Sequence, residues 1–391
     1  AAFRGRLFDV VRAKATNGTR PPREAHVKKE ARMRIHRRDL LRASGGAAAA
    51  LAMPSIVRAQ DRGRVVICSW GGAFMDAQRE AFFKPFTAAT GIEVVETTTP
   101  EFAKIRAMVE SGNTEWDVVN IVPSDYLALV ELGMLEPLDY DSVDRAILDG
   151  VDPQVVFPYG IGNSYYSETI AYSTKAFGGR APESWVDVWD VEGFPGPRML
   201  YSAEWVIRPN EGAVMGLGTP KDEVYPLDLD RSYEALTQIR DNVVKWATTP
   251  AMPVQALVDG EAVITQAPAN RIQNIKEQGA EVDYIWNQAL TQYDLWSIPK
   301  NAPNYDNAMR FIEYASRPEP GAAIAMIQPV GPVTPAAFSM MPPERAAILP
   351  GNAANADSLL LVDAAWWAQK GPDGKTNIER NIEMWNRWSL L

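Results

Sequence analysis

The sequence holds a single cysteine, Cys68, and two histidines, His26 and His36, among 391 residues. Cys68 lies in the apolar run Val65-Val66-Ile67-Cys68, the setting of a buried and unreactive thiol. One thiol leaves no intramolecular disulfide. Both histidines fall in a basic N-terminal stretch whose composition differs from that of the rest. Once that stretch is removed, Ser–His–Asp and Cys–His catalysis are excluded, together with any His/Cys metal site. Carboxylate, lysine and tyrosine chemistry stay open, but an enzyme becomes the less favoured class, and no cofactor or metal is expected. No segment approaches the ~20 apolar residues of a membrane-spanning helix. Basic charge is also scarce after residue 60. Residues 1–60 hold 14 of the 39 Lys+Arg and 4 of the 49 Asp+Glu, which leaves 25 basic against 45 acidic residues, a net charge of −20. An acidic body attracts cations or simply stays soluble, and no nucleic-acid partner is expected of it.

The basic stretch has its own logic. Arg37-Arg38-Asp39-Leu40-Leu41-Arg42 precedes a small apolar run, Ala43 to Met53, and Val57-Arg58-Ala59 fits a small-residue cleavage site. This reads as a twin-arginine secretion signal occupying residues 1–59, with a mature chain from Gln60 or Asp61 that is exported to the periplasm. Met33 opens a leader of ordinary length, so residues 1–32 read as an upstream extension or a misread start.

Beyond the leader, the stretch from Asp117 to Leu138 sets the pattern. Val118 to Val122 is the apolar, β-branched run of a buried parallel strand, and Pro123 stops its ladder. Helical spacing begins at Tyr126, with Leu127, Val130 and Met134 on one face, Ser124 or Asp125 as cap, and Gly133 as the end. Ser124, Asp125 and Tyr126 therefore sit at the carboxyl end of a strand, where open α/β sheets bind ligands. Arg64–Ser69, Ile92–Glu96 and Val118–Val122 read as strands separated by helices at 74–90 and 102–111. That order gives a parallel sheet with right-handed crossovers. Further strands are expected at 170–172, 198–202, 261–266, 281–286 and 294–299. Helices are expected at 232–245, 254–259, 269–278, 307–316, 321–327 and 378–389. About 330 residues is long for one core, so two lobes are expected.

Trp70-Gly71-Gly72 with T-G-I-E-V at 90–94, D-V-V-N-I-V-P-S-D-Y at 117–126 and L-E-P-L at 135–138 form an ordered series. It continues with P-E-S-W-V-D-V-W at 182–189 and D-L-W-S-I-P-K-N-A-P-N at 294–304. The series resembles the periplasmic substrate-binding proteins of ABC transporters, specifically the spermidine/putrescine-binding group. The resemblance implies an α/β, two-lobed type II periplasmic-binding-protein fold whose lobes are joined by two crossing strands and close on one ligand. It implies lobes at 60–165 plus 295–335 and at 166–294 plus 336–391. Its implied partners are a small-molecule ligand and a membrane permease, and a monomer is expected.

In that group Trp70 corresponds to an aromatic wall, Ser124 and Tyr126 to cleft-lining residues, and Asp294 to an ammonium-binding carboxylate at the second crossing. Glu204 falls in a loop where the group carries acidic residues. Gly71 either lets a backbone approach the ligand or makes the turn, and Asp125 lines the site or caps its helix. Two aromatic walls of the group are missing, since Gln292 stands two residues before Asp294 and Thr265-Gln266 replaces a tryptophan. Tyr165, Tyr166, Tyr293 and Trp205 are candidates to substitute. The expected ligand is a small cationic, polyamine-like amine, whose methylenes aromatic walls would cover. An amino acid with its carboxylate on the Gly71-Gly72 amides fits the pattern comparably well. A secreted hydrolase or lyase pairing Asp294 with Glu204, and a periplasmic sensor, are the other readings.

Overall fold

In a computed structural model, which describes residues 63–391, two long antiparallel strands serve both halves of one sheet. The leader, its Arg37-Arg38 pair and the cleavage site lie outside the described residues. The chain opens with β1 (Arg64–Ser69), helix α1 (Gly72–Gln78), β2 (Glu93–Thr98), β3 (Val118–Ile121) and helix α2 (Pro123–Glu131). The first long strand, β4 (Gly160–Ser173), is followed by β5 (Arg198–Tyr201), β6 (Val243–Ala247), β7 (Ile264–Pro268) and helix α3 (Ala269–Glu277). The second long strand is β8 (Val282–Pro299), and helices α4 (Pro318–Ile327) and α5 (Ala364–Ala368) come later. The strand order is β2-β1-β3-β8-β4-β7-β5-β6. Strands β2, β1 and β3 are mutually parallel, as are β7, β5 and β6. The antiparallel β8–β4 pair lies between the two sets.

The carboxyl ends of β1, β3, β5 and β7 lead directly into Trp70, Val122, Trp205 and Ala269, all of which line one cleft. Each set of parallel strands has its own apolar core. Val65, Ile67, Phe86, Ile121, Leu129, Leu295 and Phe311 belong to the first, and Ile170, Trp185, Leu200, Val214, Ile264 and Leu290 to the second. Residues 337–349 pack on Ala322 and Ala325 of α4 in a small satellite cluster.

Several expected elements change in extent. The short strands expected at 281–286 and 294–299 are one 18-residue strand, and that at 170–172 is the end of a 14-residue strand. Both long strands carry irregular register, with Asn163 unpaired between Gly162 and Ser164, and Trp286 to Ala289 looping out opposite Thr169. Gly162 belongs inside β4 because a Cβ there would come within 2.5 Å of Val155 Cγ2. The helix expected at 232–245 ends at Ile239, and Val243–Ala247 is strand β6. The β-branched pair Val243-Val244 outweighs the helical spacing that precedes it. Helix α2 begins at Pro123, which fills a first-turn position where a missing N–H costs nothing. Neither Ser124 nor Asp125 makes a capping bond.

Candidate functional site

Trp70 follows β1 and is 42% exposed, so its ring is a wall and not a core side chain. Its turn uses Gly71 and Gly72 at φ 78° and 57°, the left-handed region open to glycine. The indole Nε1–H donates to Asp294 Oδ2 at 2.8 Å. Asp294, on β8, pairs with Ser164 on β4 beside the unpaired Asn163. A buried amide chain fixes that irregularity. Ser164 Oγ donates to Asn163 Oδ1 at 2.7 Å, Asn163 Nδ2 to Asn120 Oδ1 at 2.9 Å, and Asn120 Nδ2 to Ser69 Oγ at 3.1 Å. The strand ends that carry Trp70 and Val122 are thereby tied to β4 at Ser164, the backbone partner of Asp294. Asp294 is 6% exposed, and burial pushes its carboxyl up to about 7, against the pull of the Trp70 indole.

Side chains alternate across a strand, and this sorts the remaining candidates. Ser164, Tyr166 and Glu168 of β4 reach the cleft, together with Asp294 of β8, and Ser167 between them also touches its edge. Tyr165 and Tyr293 occupy the alternate face and do not line it. They meet edge-to-face at 6.3 Å in the first core, where Tyr165 donates to Asp152 at 2.9 Å and Tyr293 stacks on Phe157. Tyr126 is 1% exposed and packs against Phe157 in the same core, because a helix starting at Pro123 turns it inward. Ser124 and Asp125 are half-buried in the first turn of α2, outside the cavity lining. Burial pushes Asp125 up to about 6. Gly71 makes the turn and is not part of the wall. Glu204 is exposed and also lies outside, whereas its neighbour Trp205 faces in. The proposed carboxylate pair Asp294–Glu204 is therefore not assembled.

The cavity measures ≈ 300 Å³ and, beside the expected Tyr166 and Trp205, holds Glu168, Asn270 and Arg271, which the sequence does not single out. Glu168 is 3% exposed, and burial pushes its carboxyl up to about 8. Trp205 Nε1–H donates to Glu168 Oε1 at 3.3 Å, and the Trp205 ring lies flat on Tyr201 at 5.0 Å. The Tyr166 hydroxyl donates to Gln292 Oε1 at 3.1 Å. Asn270 and Arg271 line the cleft from the first turn of α3, where free backbone N–H groups and the helix dipole favour an anion. Counting every second residue from Ser164 leads through Tyr166 to Glu168. The signal for Arg271 was the start of a helix immediately after a strand.

The site thus presents a buried carboxylate under an indole at one wall and an arginine at a helix N-terminus at another. Ion pairing and aromatic contact would hold a ligand there. No cluster of His, Cys, Asp and Glu suited to a metal occurs among the described residues.

Comparison with known proteins shows the family. The family model for bacterial extracellular solute-binding proteins matches residues 81–350. The γ-aminobutyric acid-binding protein of Pseudomonas aeruginosa is 31% identical over 86% of this chain and 94% of its own length. The spermidine/putrescine-binding periplasmic protein of Escherichia coli is 24% identical over 76% and 86%. The crystal structure of an ABC-transporter substrate-binding protein from Bradyrhizobium japonicum superposes with a TM-score of 0.77 at 33% identity, covering 83% of this chain and 99% of that one. The chain belongs to the bacterial extracellular solute-binding protein family, as a two-lobed substrate-binding receptor of an ABC transporter.

Proposed function

We propose that this receptor takes a short zwitterionic amine, of the γ-aminobutyric acid class, and not a polyamine. The observation that carries the reading is that groups of both signs line a single cavity. Asp294, under the Trp70 indole, is the ammonium subsite, with Tyr166 and Trp205 as aromatic cover. Arg271, Asn270 and the first N–H groups of α3 are the carboxylate subsite. A polyamine would set a second ammonium against Arg271, a like-charge contact, and the nearby Glu168 carboxyl, pushed up to about 8 by burial, offsets it only when ionised. The relative that binds γ-aminobutyric acid is also more similar to this chain, at 31% identity, than the spermidine/putrescine relatives at 24%. In this reading Gly71 turns the chain, and Ser124, Asp125, Tyr126, Tyr165, Tyr293 and Glu204 support or flank the site without touching ligand. The Arg37-Arg38 leader exports the chain to the periplasm, where the loaded receptor delivers its ligand to the permease.

Titration calorimetry with γ-aminobutyric acid, putrescine and spermidine is the test. γ-Aminobutyric acid is expected to bind at least tenfold more tightly than either polyamine. The reverse order would restore the cationic reading.

A further inference from the structure

Three consecutive backbone carbonyls beside the cleft accept hydrogen bonds from two buried glutamine side chains. Gln266 of β7 is 0% exposed and donates through Nε2 to the carbonyls of Ile207 at 3.2 Å and Arg208 at 3.4 Å. Gln292 of β8 is 5% exposed. It donates through Nε2 to Val206 O at 3.5 Å while its Oε1 accepts from Tyr166. The held segment follows β5 and brings Trp205 and Val206 into the cleft. It is gripped from its far side as well, where the Arg208 guanidinium lies over the Trp367 ring at 4.7 Å and donates back to Val206 O.

We infer that Gln266 and Gln292 are the residues that set ligand length in this receptor, by fixing how far the Trp205–Val206 wall stands from Asp294. Gln292 sits on the same strand as Asp294, two residues before it. The ammonium anchor and the clamp on the opposing wall therefore share one rigid element. Gln266 ties the same wall to the strand that leads into Arg271. At Gln292 the amide donates to a carbonyl and accepts from the Tyr166 hydroxyl at once, and at Gln266 one Nε2 serves two carbonyls, which neither an aromatic nor an aliphatic side chain can do. Without these donors the carbonyls of Ile207 and Arg208 would lose their glutamine partner and Val206 O would keep only the Arg208 guanidinium, a loss that a loop relieves by moving toward water. The wall would then recede and the cavity lengthen. This inference rests on the zwitterion reading of the site but concerns a different property, the span between its two ends.

The test compares γ-aminobutyric acid with 6-aminohexanoic acid, by calorimetry, on the wild type and on Gln266→Leu and Gln292→Leu. The wild type is expected to favour the four-carbon acid by at least tenfold. Each variant is expected to lower that preference at least fivefold, through lost affinity for the short acid and kept or gained affinity for the long one. Should a leucine variant fail to fold, Gln→Asn at the same position keeps the donor, shortens its reach and gives the same readout. Equal losses for both acids would mean a merely structural role and would overturn the inference, as would a preference left intact. A wild type that binds neither acid overturns the zwitterion reading as well. A wild type that favours the short acid while the variants keep that preference overturns the loop clamp alone.

Discussion

Asp294 carries a carboxyl that the fold removes from water and supplies with one indole N–H. That combination makes the residue costly without ligand and useful with it. Its folded-state pKa, pushed up to about 7 from an ordinary 3.8, lies above the unfolded value. The folded protein therefore binds the extra proton. Stability from this group is complete below about pH 4, falls as pH rises toward 7, and levels off above it. The shift of roughly three units corresponds to about 4 kcal/mol at the upper limit. Asp294→Asn keeps an acceptor for Trp70 but has no charge to bury. Its melting temperature, measured without ligand by calorimetry, is expected to exceed the wild type's by several degrees at pH 8 and to match it below about pH 4. Binding of γ-aminobutyric acid should weaken at least tenfold, since an ammonium loses its counter-charge. A variant no more stable than wild type at pH 8 would show that the carboxylate is not buried as described. Asp294 was legible from sequence because a family pattern pointed to it. Glu168, pushed up to about 8 by the same burial, had no such pattern, and its burial depends on Tyr201 at the end of β5 and Trp205 in the loop that follows.

At the scale of the element, β4 and β8 decide which side chains belong to the site. The sequence offers Tyr165, Tyr166 and Tyr293 alike as aromatic walls, but of the three only Tyr166 lines the cavity. The reason is physical. Facing reverses with every residue along a strand, and a one-residue irregularity such as that at Asn163 shifts the register in a way that composition does not reveal. Gly160 and Gly162, which look like loop residues in sequence, are strand residues because Ser297 and Val155 leave no room for a Cβ. Helix α2 shows the converse. Its position after β3 was readable, yet starting it at Pro123 and not at Tyr126 rotates Tyr126 from cleft to core. The alternation gives a paired prediction. Tyr165→Phe should lower stability by about 1 kcal/mol, through the lost bond to Asp152, and leave ligand affinity within twofold. Tyr166→Phe should reduce affinity severalfold, because its hydroxyl holds Gln292 beside Asp294. Thermal melts and calorimetry on the two variants check this, and a Tyr165→Phe variant with the larger loss of affinity would reverse the assignment of faces.

For the whole molecule, the broad architecture was readable from the βα order, since parallel strands demand crossover helices and a chain of this length divides its core. The two lobes also meet away from the cleft, where Lys370, just past α5, pairs with Glu131 of α2 at 2.7 Å. Both side chains are half-exposed, so the pair adds little. The acidic balance after residue 60 first suggested a cationic ligand, but net charge acts at long range and does not report what a desolvated cavity selects. The two effects separate with salt. Over the described chain the negative field is screened beyond about 10 Å at 0.1 M salt, so a dicationic ligand should lose affinity steadily as salt rises. A zwitterion has no net charge for that field to act on, and in the proposed site its ammonium would meet the buried Asp294 at short range, where screening is weak. Between 50 and 500 mM NaCl, the Kd of γ-aminobutyric acid is expected to change by less than about threefold, and that of putrescine, if it binds, to rise by tenfold or more. Calorimetry at four salt concentrations measures both slopes. A steep slope for γ-aminobutyric acid would mean that its carboxylate finds no cation in the cleft, and would remove Arg271 from the site.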